Sequence, residues 1–201
     1  MKILVTGFEP FNGEGINPSL EAVKRLDDSI AGAEIRKLPL PVVFHKSVVK
    51  LIQHVEEEQP DVVICVGQAG GYNGIAIERV AINLLDASIA DNEGNRPEDV
   101  PIYEDGAAAY FSNLPVKKMV QRIKDNGLPA FLSNSAGTYV CNNTMYGLLY
   151  HIEKRYPDVR GGFIHVPFIP QQVVDKPGKA SMALDDIASG LRSAIEAIVE
   201  G

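Results

Sequence analysis

The chain has 201 residues, 45% hydrophobic and 22% charged, a balance that fits a globular protein with a sizeable core and excludes a disordered one. A formal net charge of −7 argues against a nucleic-acid partner, whose phosphates need clustered Lys and Arg. No apolar run approaches the ~20 residues that span a bilayer, and "MKILVTGFEPFNG" lacks the long apolar segment and cleavage site of a secretory signal. With two cysteines in unlike surroundings, a disulfide framework is not expected. Composition therefore predicts a cytoplasmic protein with reduced thiols and no membrane association. No repeat or long linker divides it, so residues 1–201 are expected to form a single domain.

In chain order, "KILVTG" (2–7) is a β-branched run closed by glycine and predicts a strand. "NPSLEAVKRL" (17–26) predicts a helix, capped by Asn17 with Pro18 at the first helical position. "AEIRKLPLP" (33–41) is a second strand. "HKSVVKLIQHVEEE" (45–58) sets Val48, Leu51, Ile52 and Val55 on one helical face. "DVVICVG" (61–67) is continuously apolar, as in a strand buried on both faces. "QAGGYNG" (68–74) reads as a loop and "IAIERVAINLLDA" (75–87) as a strand. Residues 88–105 are acidic and rich in Asn, Gly and Pro, which predicts a surface loop. "PVKKMVQRIKDNG" (115–127) is a helix with proline at its start and Asn-Gly at its end. "PAFLSNS" (129–135) is a strand, and a helix is expected from Cys141 to about Arg155. "GFIHVPFIP" (162–170) is the last strand. "SMALDDIASGLRSAIEAIVE" (181–200) closes the chain as a helix with Leu184, Ile187, Leu191, Ile195 and Ile198 as its apolar stripe. Strands alternating with helices predict a three-layer α/β sandwich around a largely parallel sheet.

Ligands of open α/β sheets sit beyond the carboxyl ends of the strands, and three segments are expected to end there with unusual chemistry. "LSNSAGTYVCN" places Cys141 at a helix start, where unpaired N–H groups and the helix dipole favour a thiolate and can cradle an oxyanion. Cys65, inside the apolar run, reads as a packed thiol. In "GFIHVPFIP", His165 is either a hydrogen-bonded core residue or an imidazole facing the thiol. In "IAIERVAIN", Glu78 and Arg79 interrupt an apolar run. They either pair with each other or present a carboxylate that orients the imidazole, as in a nucleophile–base–orienter arrangement. His45, His54 and His151 fall among polar neighbours on helices and are expected to be solvated.

These residues sit in blocks that resemble the pyroglutamyl-peptidase I (pyrrolidone-carboxylate peptidase) family of cysteine peptidases. The resemblance runs through "TGFEPFNGE", "NPS", "VGQAGG", "IERVAIN", "DNEGN", "SNSAGTYVCN" and "GGFIHVPFIP", nearly the whole length. It implies an α/β/α sandwich with a mostly parallel, mixed central sheet. It also implies a peptidase that removes N-terminal pyroglutamate from peptides, assembled as a homotetramer. The catalytic triad it implies is Glu78, Cys141 and His165. One departure stands out: where many members read "DARIPDNEG", this chain reads "DASIADNEG", so Ser88 and Ala90 replace an arginine and a proline. Any support that such an arginine lends to the carboxylate or the oxyanion is missing.

Pyroglutamate is an uncharged five-membered lactam, so its pocket needs an apolar slot with an acceptor and a donor. "GFEPFNGEGIN" offers Phe8 and Phe11 in what reads as an exposed Gly-rich loop. The resemblance implies that they line the ring pocket, with Asn17 and Gln68 nearby. The alternative is that both phenylalanines cover the edge of the core. The implied acyl-transfer chemistry requires no cofactor, and no His–Glu–x–x–His spacing suggests a metal. Two other readings remain. One is a nucleotide-binding α/β protein, suggested by "ILVTGFEPFNGEG", although its glycines come too late for a dinucleotide loop. The other is a non-catalytic module that binds pyroglutamyl peptides.

Overall fold

The computed structural model describes residues 1–201. In chain order its elements are β1 (Lys2–Phe8), α1 (Pro18–Lys24), β2 (Ser29–Ile30), β3 (Ala33–Leu40), α2 (Lys46–Glu58), β4 (Val62–Gln68), β5 (Ile75–Glu78), β6 (Val80–Ile82), β7 (Ala109–Phe111), α3 (Val116–Asp125), β8 (Ala130–Ser133), α4 (Val140–Arg155), β9 (Arg160–Val166) and α5 (Leu184–Val199).

The local signals explain most of these boundaries. Asn17 caps α1 by accepting from the Ser19 backbone, and Pro18 supplies a fixed φ where no N–H partner is needed. On α2 the stripe Val48, Leu51, Ile52 and Val55 is buried. On α5, Ile187, Leu191, Ile195 and Ile198 are buried, while Leu184 packs half-exposed at the first turn.

Seven strands form one sheet in the order β2-β3-β1-β4-β9-β5-β8. The pairs β1–β3, β1–β4, β4–β9 and β5–β8 are parallel; β2–β3 and β5–β9 are antiparallel. One face carries α1, α3 and α5 over Ile3, Val5, Ile64, Val66, Ile77 and Ile164. The other carries α2 and α4 over Leu4, Val63, Cys65 and Phe163. The architecture is thus a three-layer α/β/α sandwich with a mixed, mostly parallel sheet. The central strand β4 is apolar from Val62 to Val66 because helices cover both faces.

The apolar run at 75–87 is not one strand. It breaks at Arg79, whose N–H donates to Ser133 O at 2.8 Å and whose carbonyl accepts from Ser112 N at 2.9 Å. The chain then leaves the main sheet, and β6 pairs antiparallel with β7 in a separate two-stranded ribbon. This excursion, with Ala81, Leu85, Ile102 and Tyr110, packs over α4. That is why α4 is buried from Asn142 to Leu149, including polar residues.

Direction also differs from expectation. β5 and β8 run opposite to β9, so β1, β3, β4 and β9 bring their carboxyl ends to one edge of the sheet while β5 and β8 end at the other. Glu78 lies opposite Phe163 and reaches His165 diagonally across the antiparallel pair.

Candidate active site

The segment that delivers Cys141 is a turn followed by a helix without a cap. Gly137 adopts φ +78, a left-handed conformation that side chains resist. Tyr139 is extended and offers no side-chain cap. The first N–H groups of α4 therefore have no intrahelical acceptor, and Cys141, half-buried, sits in this first turn.

Two asparagines beside it anchor the helix start. Asn142 Oδ1 accepts from Ile82 N at 3.0 Å, and its Nδ2 donates to Ile82 O at 2.9 Å and Leu84 O at 3.0 Å. Asn143 Oδ1 accepts from His45 N at 2.8 Å. The backbone at His45 has φ +58. Sequence reading missed these anchors, although two adjacent amides on a buried helical turn are a usable signal.

His165 is 5% exposed near the end of β9 and shares a face with Phe163, Glu78 and Gly67. Its Nδ1 lies 2.8 Å from Glu78 Oε1, and Glu78 is fully buried. The ring packs between Phe163, at a centroid distance of 4.8 Å, and Tyr72, at 6.2 Å and edge-on. The imidazole also faces the Cys141 sulfur. Burial pulls its pKa down, but the neighbouring Cys141 and Glu78 outweigh this and raise it to about 9. Of the sequence alternatives at Glu78, the bond is to the imidazole and not to Arg79, which forms no salt bridge. The second oxygen of Glu78, Oε2, is buried without a partner.

The structure thus joins Glu78 on β5 to His165 on β9 and sets Cys141, at the start of α4, against the same face of the sheet. A thiol beside an imidazole, itself held by a carboxylate, is competent for nucleophilic acyl transfer. Cys65 is separate: it is fully buried, and burial pushes its thiol up to about 12. His151, expected to be solvated, is instead half-buried edge-on to Tyr103 and Tyr150, and burial lowers its pKa.

The residues expected around the substrate are placed less uniformly. Phe8 is not in an exposed loop; it ends β1, is 2% exposed and packs on Phe163 at 6.3 Å. Phe11 is half-buried in the following loop, 6.2 Å from the Tyr139 ring, which also meets Phe44 edge-on at 5.3 Å. Asn17 is occupied within the chain. It accepts from Ser19 N and Oγ and donates to Glu9 O, so its amide ties the loop to α1. Gln68 ends β4, half-buried, and its Oε1 accepts from Gln172 at 2.9 Å. Ser88 is exposed in an outer cleft with Asp86, Arg96, Glu98 and Thr138, whereas Glu78 is fully buried.

No three His, Cys, Asp or Glu side chains gather where they could share a metal ion. No helix is long and apolar enough to cross a membrane.

A family model described as pyroglutamyl peptidase matches residues 1–201. The pyrrolidone-carboxylate peptidase of Clostridium perfringens (strain 13 / Type A) is 60% identical over 199 residues, covering 99% of this chain and 93% of that protein. That of Thermosipho africanus is 60% identical over 200 residues, covering 100% and 98%. Among solved structures, pyroglutamyl peptidase I of Bacillus amyloliquefaciens superposes with a TM-score of 0.96 at 48% identity, covering 100% of this chain and 97% of that one. A mutant pyrrolidone carboxyl peptidase from Pyrococcus furiosus gives 0.95 at 47% identity, covering 100% and 99%. With the whole chain matched and identities this high, the protein belongs to the pyroglutamyl peptidase family.

Proposed function

We propose that this chain, as one peptidase domain over residues 1–201, removes N-terminal pyroglutamate from peptides through a Cys141–His165–Glu78 triad. The observation that carries the reading is the buried 2.8 Å contact between Glu78 Oε1 and His165 Nδ1, on an imidazole that also faces Cys141.

The Cys141 thiolate attacks the pyroglutamyl carbonyl carbon. The resulting oxyanion is met by the free N–H groups at the start of α4. His165, as imidazolium, gives its proton to the leaving amine, and the C–N bond breaks to leave a thioester. Neutral His165 then takes a proton from water as that water attacks the thioester, releasing pyroglutamate and restoring the thiol. Glu78 holds the ring so that Nε2 points at the sulfur and supports its positive charge.

Phe11 and Gln68 are assigned to the lactam pocket. Phe8 supports it from the core through Phe163, and Asn17 acts through the loop it ties. No metal or other cofactor enters these steps. A homotetrameric assembly belongs to the same proposal and rests on family likeness. A cytoplasmic setting rests on two free cysteines and on composition.

Hydrolysis of pyroglutamyl, prolyl and glutamyl amides carrying one fluorescent leaving group tests the reading. The prolyl ring has the same shape but lacks the carbonyl and carries a charged nitrogen. Unpaired partners and desolvation should separate the substrates by several orders of magnitude in kcat/KM. Comparable prolyl and pyroglutamyl rates, or activity that survives alkylation of Cys141, would overturn it.

A further inference from the structure

Gly67 occupies a place in the site that the triad does not account for. It is the penultimate residue of β4, buried, and it pairs with His165 on the neighbouring strand. The two residues therefore present the same face of the sheet. A Cβ built on Gly67 would meet Cys141 Sγ at 2.8 Å and the Phe163 ring at 2.8 and 3.0 Å. The sulfur thus rests against bare backbone, with the imidazole beside it on the same face.

Gly67 has no positive φ. An alanine meets no backbone penalty there, so the requirement for glycine comes from the space alone. This separates Gly67 from Gly71 and Gly137, where φ is +110 and +78 and the space around an added Cβ is open.

We infer that Gly67 is a positioning residue for the nucleophile: the missing Cβ seats Cys141 Sγ on β4 within reach of His165. The inference rests on Cys141 being the nucleophile, as proposed above. Carbon contacts settle at about 3.5–4.0 Å, so a methyl at position 67 must displace the sulfur, the Phe163 ring or both by about 0.7 Å or more. Moving Sγ off the strand lengthens its approach to the imidazole. It also shifts it relative to the N–H groups at the start of α4. Misplacements of about 1 Å in a reacting group cost on the order of 100-fold in rate. Cys65, two residues earlier on the same face, is the instructive contrast: a side chain at that level meets packed core, and no reacting group needs the room.

The test is Gly67→Ala in the full chain, assayed with a pyroglutamyl fluorogenic amide. Alongside it, the pH dependence of Cys141 alkylation by iodoacetamide is followed by mass spectrometry. The expected result is a fall in kcat of about 100-fold, a KM little changed, and Cys141 alkylation that slows and shifts to higher pH. A purely structural glycine would lower Tm and leave the alkylation profile of the folded fraction where it was, which overturns the inference. Where Gly67→Ala is too unstable to assay, the Gly67→Ala/Cys141→Ala double variant replaces it. Removing the sulfur removes part of the crowding, so the double variant should recover folding; no recovery counts against the inference. Cys141→Ala alone reports on the nucleophile. Full activity in that variant sinks the proposed function, whereas an inactive Cys141→Ala beside a fully active Gly67→Ala sinks only the seat.

Discussion

Replacing Glu78 by glutamine separates the charge of the buried carboxylate from its shape. Oε1 lies 2.8 Å from His165 Nδ1 in a fully buried position, and Oε2 has no partner. Glutamine keeps an oxygen for the Nδ1–H, so the tautomer that turns Nε2 toward Cys141 is retained. What disappears is charge assistance. A hydrogen bond to a charged group contributes about 1.5–3 kcal/mol and a neutral one about 0.5–1.5 kcal/mol. The imidazolium therefore loses about 1–2 kcal/mol of support, which corresponds to roughly one pKa unit and to a fall in kcat/KM of about 5- to 30-fold. Two readouts check this. The first is kcat/KM on a pyroglutamyl amide, which should order the variants as wild type, then Glu78→Gln, then an inactive Cys141→Ala. The second is the basic limb of the pH profile. With His165 as the proposed acid, that limb should lie near 9 in the wild type and move down by about one unit in Glu78→Gln. A loss as large as that of Cys141→Ala, or a basic limb that stays in place, refutes the orienting role.

Cys141→Ala should abolish hydrolysis with the fold intact, while Cys65→Ala keeps most of the activity, because Cys65 is fully buried and its thiol is pushed up to about 12. A folded Cys65→Ala without activity beside an active Cys141→Ala would reverse the assignment. Stability should follow the same imidazole. With Cys141 and Glu78 beside it, the folded chain holds the His165 proton to about 9 against 6.5 for a free histidine, so the contribution of these neighbours is full below pH 6.5 and is lost as pH rises through about 9. Thermal melts across that window should show the wild type losing Tm more steeply than Glu78→Gln; parallel slopes would deny the linkage.

The legible parts of the site are the local ones. Asn17-Pro18 fixes the start of α1 by chemistry contained in a few neighbouring residues, and the same holds for Cys141. A glycine turn followed by a helix-like run already says that the thiol opens a helix. The contrast with Cys65 is local too, since an unbroken apolar run states its own burial. The run at 75–87 is the opposite case. Its apolar pattern is the same whether the chain stays in the sheet or leaves it. The break at Arg79 is decided by Ser133 and Ser112, which satisfy its backbone from far along the chain. Phe8 misled for a related reason: the glycine before it reads as the end of a strand, yet β1 continues through Phe8 because Leu40 and Phe163 cover it.

The proposed triad joins the two kinds of information. Each member is visible as an anomaly in its own segment, a thiol at a helix mouth or a charge in an apolar run. Their meeting depends on β5 lying antiparallel to β9, a pairing no local pattern encodes. Register then does the selecting. Glu78 sits opposite Phe163, and side chains two residues apart on a strand share a face. A shift of β5 by one residue would turn Glu78 to the other side of the sheet, among the apolar side chains under α3 and α5, with no imidazole to meet it. Burying an unpaired carboxylate there costs several kcal/mol, while the present register leaves Ile75 and Ile77 in that apolar layer. The alternation Ile-Ala-Ile-Glu therefore specifies both the packing of the strand and the side on which its carboxylate emerges, so the same pattern that stabilises β5 delivers Glu78 to His165.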